Sequence, residues 1–115
     1  MTNQLLAGLI PLHILHHAAR EEVYGQWMLG ELREHGYRIG RGTLYPMLHR
    51  LEERGYLRAR EQRLTRTMRR YYRATAKGKT AIKNAHHQVA ELFGEMHAIK
   101  KPGKSPVKRK TRAIK

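Results

Sequence analysis

Between Gly40 and Gly55 the chain reads Gly-Arg-Gly-Thr-Leu-Tyr-Pro-Met-Leu-His-Arg-Leu-Glu-Glu-Arg-Gly. Within that stretch Arg41, Thr43, Tyr45, His49 and Arg50 offer guanidinium, hydroxyl, phenol and imidazole groups. Leu44, Met47, Leu48 and Leu51 recur at helical spacing and make one apolar stripe. At about 100° per residue, Gly42, Tyr45, Pro46, His49, Arg50 and Glu53 project from the opposite side. That side carries hydrogen-bonding groups and no acid in its first two turns. It suits base edges and phosphates in a major groove better than bond-making chemistry. The helix N-terminus adds unpaired N–H groups and partial positive charge, which favour a phosphate. Its start has two readings. Either Gly40 is the N-cap, or Thr43 caps a helix whose first turn holds Leu44, Tyr45 and Pro46. The second suits Pro46, because a first-turn proline forfeits no intrahelical hydrogen bond. Gly55 reads as the C′ residue.

Eight histidines form the other chemical inventory. His13 and His17 stand four apart with His16 beside them, and His86, His87 and His97 lie near the end of the last helical stretch. Imidazoles at that spacing can share a metal ion. His13 and His17 are therefore the metal candidates, joined by His86 if the first and last helices meet across a dimer. No carboxylate or cysteine stands at ligand spacing beside them, so the reading is of no bound metal and no cofactor. Catalysis finds little to work with. Aspartate and cysteine are absent, and there is no Gly-rich phosphate loop or nucleophile elbow. Glu21-Glu22 and Glu52-Glu53 are adjacent pairs whose side chains diverge on a helix. The chain does not read as an enzyme.

Charge points the same way as the helix face. There are 24 lysines and arginines against 9 acids, a net +15. Residues 54–79 carry ten of the basic residues against Glu61 alone, and residues 101–115 carry seven with no acid. A basic field so clustered implies a polyanionic partner. At 115 residues there is room for one compact domain and an appendage. The lack of cysteine excludes a disulfide scaffold and agrees with a reducing compartment. No apolar run approaches the ~20 residues of a membrane span, and Met1-Thr2-Asn3-Gln4 lacks a secretory n-region. The expectation is a cytoplasmic, nucleoid-associated protein.

The elements that would position these groups follow from periodicity. Leu5 to Arg20 reads as a helix with Leu5, Leu6, Leu9, Leu12, Leu15 and Ala19 on its apolar side; Pro11 either kinks it or marks its true start. Tyr24 to His35 reads as a second helix, with Tyr24, Trp27, Met28, Leu29 and Leu32 apolar and Gly36 stopping it. The short link to Gly40 makes the pair a helix-turn-helix. Tyr56-Leu57-Arg58-Ala59-Arg60 then alternates like a strand, and Met68–Ala74 is a second candidate, with Glu61–Thr67 as the tip of a hairpin. A basic hairpin after a recognition-type helix is a wing. Thr75 caps a last helix, along which Ile82, Ala85, Val89, Leu92, Met96 and Ile99 alternate steps of three and four, with Phe93 widening the seam. Such a seam favours self-association. Lys101 onward is proline-broken and basic and is expected to be disordered alone. The fold class is mainly α with a small β-hairpin: a winged helix-turn-helix over residues 1–75, a dimerisation helix over 76–100 and a basic tail over 101–115.

These motifs, in this order and spacing, resemble the PadR family of winged-helix transcriptional regulators. The resemblance spans about residues 4–100. It rests on Tyr24-Gly25, Gly42-Thr43-Leu44-Tyr45-Pro46 with Leu48 and Arg50-Leu51-Glu52, Gly55-Tyr56-Leu57, Arg69-Arg70-Tyr71-Tyr72-Arg73 and Thr75-Ala76-Lys77-Gly78. It implies a homodimer on a pseudo-palindromic operator, usually as a repressor, with the C-terminal helix as dimerisation element; the single helix before the tail matches the shorter branch. It also implies a small aromatic or drug-like effector, for which Trp27, Phe93 and Met96 are the candidate lining. Two features depart from the pattern: the wing tip Leu64–Met68 lacks the glycine often found there, and the basic tail has no counterpart.

Together the two lines give a DNA-contact set. Tyr45 and His49 are placed near base edges or phosphates, Thr43 at a phosphate, and Arg41 and Arg50 as phosphate anchors. Tyr24 is either a phosphate contact or core. Arg66, Arg69 and Arg70 reach from the wing to backbone or minor groove. The resulting expectation is a sequence-specific DNA-binding regulator released by a small molecule or other signal. Its rivals are a DNA-coating nucleoid protein with little sequence choice and a His-based metal-responsive regulator.

Overall fold

The computed structural model describes residues 4–98. Ile99 and the basic tail over 101–115 lie outside the described residues. The elements are α1 (Gln4–Ala7), α2 (Leu9–Arg20), β1 (Val23–Tyr24), α3 (Gly25–Glu34), α4 (Arg41–Glu53), β2 (Leu57–Arg63), β3 (Met68–Ala74) and α5 (Ala76–Ala98). They fall into two compact units, one reaching to Ala85 and the other beginning at His86, so α5 runs from the first into the second.

The first helix of the sequence reading is two. The chain breaks at Gly8, and Pro11 is the third residue of α2, where its missing N–H costs no intrahelical bond. That restart changes which residues face inward. Ile10, Ile14, Leu15 and Ala18 are buried, whereas Leu6 is exposed and Leu12 only half-buried. The stripe expected through Leu5, Leu6, Leu9 and Leu12 assumed one unbroken phase.

Helices α3 and α4 end alike, and glycine makes both endings possible. Gly36 and Gly55 adopt φ of 95° and 85°. Beyond each, the Tyr37 N–H bonds to the Leu32 carbonyl at 3.1 Å and the Tyr56 N–H to the Leu51 carbonyl at 2.9 Å. The Gly36 and Gly55 N–H groups reach Arg33 and Glu52 at 3.0 and 2.9 Å. These are Schellman closures, which satisfy carbonyls a helix end would otherwise strand. Arg33 Nε donates to the Ile39 carbonyl at 3.0 Å and holds the intervening turn.

The sheet is antiparallel and three-stranded, in the order β1-β3-β2. The two-residue β1 takes Tyr24 from the expected start of the second helix, and it is too short to show a period of two. Val23 pairs with Tyr72 and Tyr24 with Tyr71. The wing hairpin is longer and its tip tighter than expected: β2 runs on to Arg63, opposite Met68, and the Leu64 N–H closes on the Thr67 carbonyl at 2.7 Å. The core gathers Ile14, Met28, Leu32, Leu44 and Leu48, all essentially inaccessible, with Val23, Leu57, Tyr72 and Ala74 from the sheet.

Thr75 caps α5 as expected. Its Oγ1 accepts from the Gly78 N–H at 3.0 Å and donates to the Gly55 carbonyl at 2.5 Å. Gly78 is buried, and a Cβ there would overlap the Tyr56 carbonyl oxygen. The motif Thr-Ala-Lys-Gly thus combines a cap with a close backbone approach. Ala81 and Ile82 pack against the core.

Candidate nucleic-acid interface

The faces of α4 are as the spacing implies. Leu44, Leu48 and Leu51 are buried, while Gly42, Thr43, Tyr45, Pro46, His49, Arg50 and Glu53 are exposed. Of the two readings of its start, the first holds. Gly40 is the N-cap, in extended conformation, and its carbonyl accepts from the N–H of Thr43 and Leu44 at 3.2 and 3.0 Å. Thr43 is therefore inside the first turn. Pro46 is the sixth helical residue rather than a first-turn one, and it has no N–H to offer the Gly42 carbonyl. The helix tolerates this on its outward side, where solvent or a ligand donor can serve that carbonyl.

Tyr45 is 37% exposed, and its ring lies directly against Gly25. A Cβ at Gly25 would stand 2.5 Å from the Tyr45 Cε1. Glycine at the first position of α3 thus lets the phenol come close against that helix's N-terminus. Arg41 Nη2 donates to Gln26 Oε1 at 3.1 Å, linking the starts of α3 and α4. Gln26 was not singled out in the sequence; an exposed glutamine carries no signal until the two helix starts are brought together.

The hairpin separates its arginines by strand alternation. Arg69 and Tyr71 share one face. The Arg69 guanidinium sits 4.0 Å above the Tyr24 ring, Tyr24 meets Tyr71 edge to face at 5.7 Å, and Arg60 caps Tyr71 at 4.7 Å. Tyr24 is half-buried in this stack. Arg60 is held in turn by Glu22 at 2.7 and 2.8 Å, which lowers the Glu22 carboxyl below its usual range. Arg70 faces the other way, towards α4. Its Nη2 donates to both oxygens of Glu52 at 2.9 Å and its Nη1 to Glu61 at 3.1 Å. The bond to Glu52, chiefly, raises its pKa further above the usual guanidinium range. Arg70 pins the wing to α4. Arg66 stands exposed in the tip.

Between these elements runs an open groove of about 440 Å³, lined by Tyr24, Gln26, Arg41, Tyr45, His49 and Arg69 among others. Its wall thus gathers Tyr24, Arg41, Tyr45, His49, Arg69 and Arg70 from the sequence-derived contact set and adds Gln26, Thr67 and Met68. Thr43, Arg50 and Arg66 are exposed outside it.

The remaining candidates divide between the two units. In the first, Trp27 is half-buried against the core and meets the His17 ring edge-on at 5.3 Å. The His13 ring lies 5.0 Å from His35 and 5.3 Å from Tyr37. Burial, chiefly, lowers the pKa of His13 and His17. In the second, Val89, Leu92, Phe93 and Met96 are exposed, Phe93 packs on His97 at 4.3 Å, and His86 on His87 at 6.1 Å. No helix among the described residues is long and apolar enough to cross a membrane.

Comparison with known proteins converges with this geometry. Residues 14–84 match the model of the transcriptional regulator PadR-like family. The chain is 47% identical over 87 residues to transcriptional regulator Rv3488 of Mycobacterium tuberculosis, covering 76% of this chain and 81% of that one. A PadR family transcriptional regulator from Eggerthella lenta superposes with a TM-score of 0.76 at 28% identity, over 87% of this chain and 88% of its own. A PadR-like regulator from Bacillus cereus shares the fold at a TM-score of 0.77 and 24% identity, over 89% of this chain and all of its own. A winged helix with an open recognition face, matched over most of its length by regulators rather than enzymes, has one reading: this chain belongs to the PadR-like family of transcriptional regulators and binds DNA.

Proposed function

We infer that the protein is a homodimeric repressor of a pseudo-palindromic operator. The observation that carries this is the outward side of α4, with Tyr45 and His49 exposed beside an arginine-bearing β-ribbon. In this reading α4 enters the major groove. Tyr45 and His49 meet base edges or phosphates, the α4 N-terminus with Thr43 receives one phosphate, and Arg41 and Arg50 anchor the flanking backbone. Arg66 and Arg69 extend the contact from the wing. Residues 1–75 form the DNA-binding part and 76–100 the dimerisation helix, with Val89, Leu92, Phe93 and Met96 as the seam and Ile82 and Ala85 at its domain end. A small aromatic effector is the proposed release signal.

The test is competition binding at fixed salt. A specific regulator prefers its operator over random duplex by about 10³-fold or more. A ratio near one would instead make the protein a DNA-coating one.

A further inference from the structure

The sequence reading set metal binding aside because no carboxylate stood at ligand spacing beside the histidines. The fold supplies one from another helix. Glu31 and His35 lie four apart on the last turn and cap of α3 and so share a face, and the packing of α2 brings His17 to them. Glu31 Oε2 stands 3.5 Å from His17 Nε2 and 3.3 Å from His35 Nε2. The three potential ligand atoms all lie within 4.8 Å of one another.

We propose that His17, Glu31 and His35 form a binding site for a divalent transition cation of the zinc class. The distances from Glu31 suit such a site. An imidazole N–H closing on a carboxylate settles at about 2.7–3.2 Å. Ligands held at about 2.0–2.2 Å around a tetrahedral zinc stand about 3.3–3.5 Å apart. The two edges from Glu31 fall in the second range, and the third, between the two imidazoles, is bounded by 4.8 Å. The donor set is right for the class: two imidazoles and a carboxylate suit zinc, copper or nickel, whereas magnesium and calcium prefer oxygen alone. Three protein ligands leave a position open for water or an exchangeable group. The surroundings orient the donors. Trp27 packs edge-on against His17 at 5.3 Å, and His13, one turn earlier on α2, places its ring 5.0 Å from that of His35. A cation here would cross-link α2 to the C-terminal end of α3, the helix whose first residue supports Tyr45. The site uses His17 from the sequence candidates, takes His13 as a flanking group and leaves out His86.

The experiment is titration of tag-free, full-length protein with zinc(II) by calorimetry and with cobalt(II) by visible absorption, with Trp27 fluorescence read alongside. The expected result is one ion per chain, a cobalt d–d spectrum of low-coordinate nitrogen–oxygen type and a change in Trp27 emission. Glu31→Gln and His35→Ala should each weaken binding at least about tenfold, since each removes a ligand, while His86→Ala and His97→Ala leave it unchanged. His35 is largely exposed, its side chain 47% accessible, so its variant keeps the fold, as circular dichroism will verify. Absence of stoichiometric binding overturns the proposal. So does binding that survives both Glu31→Gln and His35→Ala, or that disappears with His86→Ala.

Discussion

A single hydrogen is all that Gly25 presents to the Tyr45 ring, and that closeness makes Gly25 a lever on the recognition surface. Gly25→Ala adds a methyl where the phenol now lies. Since the ring is the free end of a side chain, it will swing aside while the fold survives. The expected outcome is operator affinity reduced by about tenfold or more, within the ~1–3 kcal/mol of one base-edge contact, with little change in thermal midpoint. Gel-shift and melting measurements on the same preparation check both halves. Gly78 behaves differently, because its neighbour is the rigid Tyr56 carbonyl. Gly78→Ala must push α5 off the turn at residues 55–56, and it should cost about 1–3 kcal/mol of unfolding free energy in urea titration. Phenols in the core supply a third effect. Burial raises the Tyr37 and Tyr72 pKa values above 10. The unfolded chain therefore releases these protons first, so their contribution to stability is complete below about pH 10 and is lost as pH rises through the folded values. Tyr37→Phe should flatten the fall in urea midpoint between pH 9 and 11.

At the scale of elements, the hairpin shows why two neighbouring arginines have different work. Strand alternation sends Arg69 to the tyrosine stack and Arg70 to Glu52 and Glu61. A phosphate reaching Arg70 would have to displace carboxylates already in place. Arg66→Ala and Arg69→Ala should each reduce the slope of log affinity against log salt by about one. Arg70→Ala should leave the slope nearly unchanged and lower stability instead, because it strands Glu52. Slopes equal to that of the wild type in all three variants would remove the wing from the interface. The same hairpin marks where sequence stops being informative. The α4 faces, both Schellman glycines and the Thr75 cap were legible, since each depends on spacing within a few residues. What was not legible came from groups far apart in sequence: β1 against β3, Glu22 on Arg60, Arg41 on Gln26 and Glu31 between two histidines. Pro46 misled because a first-turn position is the economical one, yet α4 starts five residues earlier and carries the proline on its outward side.

For the whole molecule, the open question is what covers the far half of α5. Val89, Leu92, Phe93 and Met96 are exposed, Phe93 by 59%, at the three-and-four spacing of a coiled-coil seam. Leaving four large apolar side chains in water forgoes roughly 1.5–3 kcal/mol for each that could be buried, and a second copy of the same seam removes that cost symmetrically. A charge placed there should therefore act on assembly rather than on folding of the winged part, whose core lies in residues 10–74. Leu92→Glu is expected to convert a dimer to a monomer by analytical ultracentrifugation while leaving the helical content of the winged part intact. Each monomer would then hold one half-site alone. Operator affinity should drop to near that of a single half-site, and binding should lose its dependence on half-site spacing, because two recognition helices are no longer held one helical turn apart. A monomeric wild type, or a Leu92→Glu variant that still distinguishes half-site spacing, would mean that α5 is not the element that sets the reach of the pair.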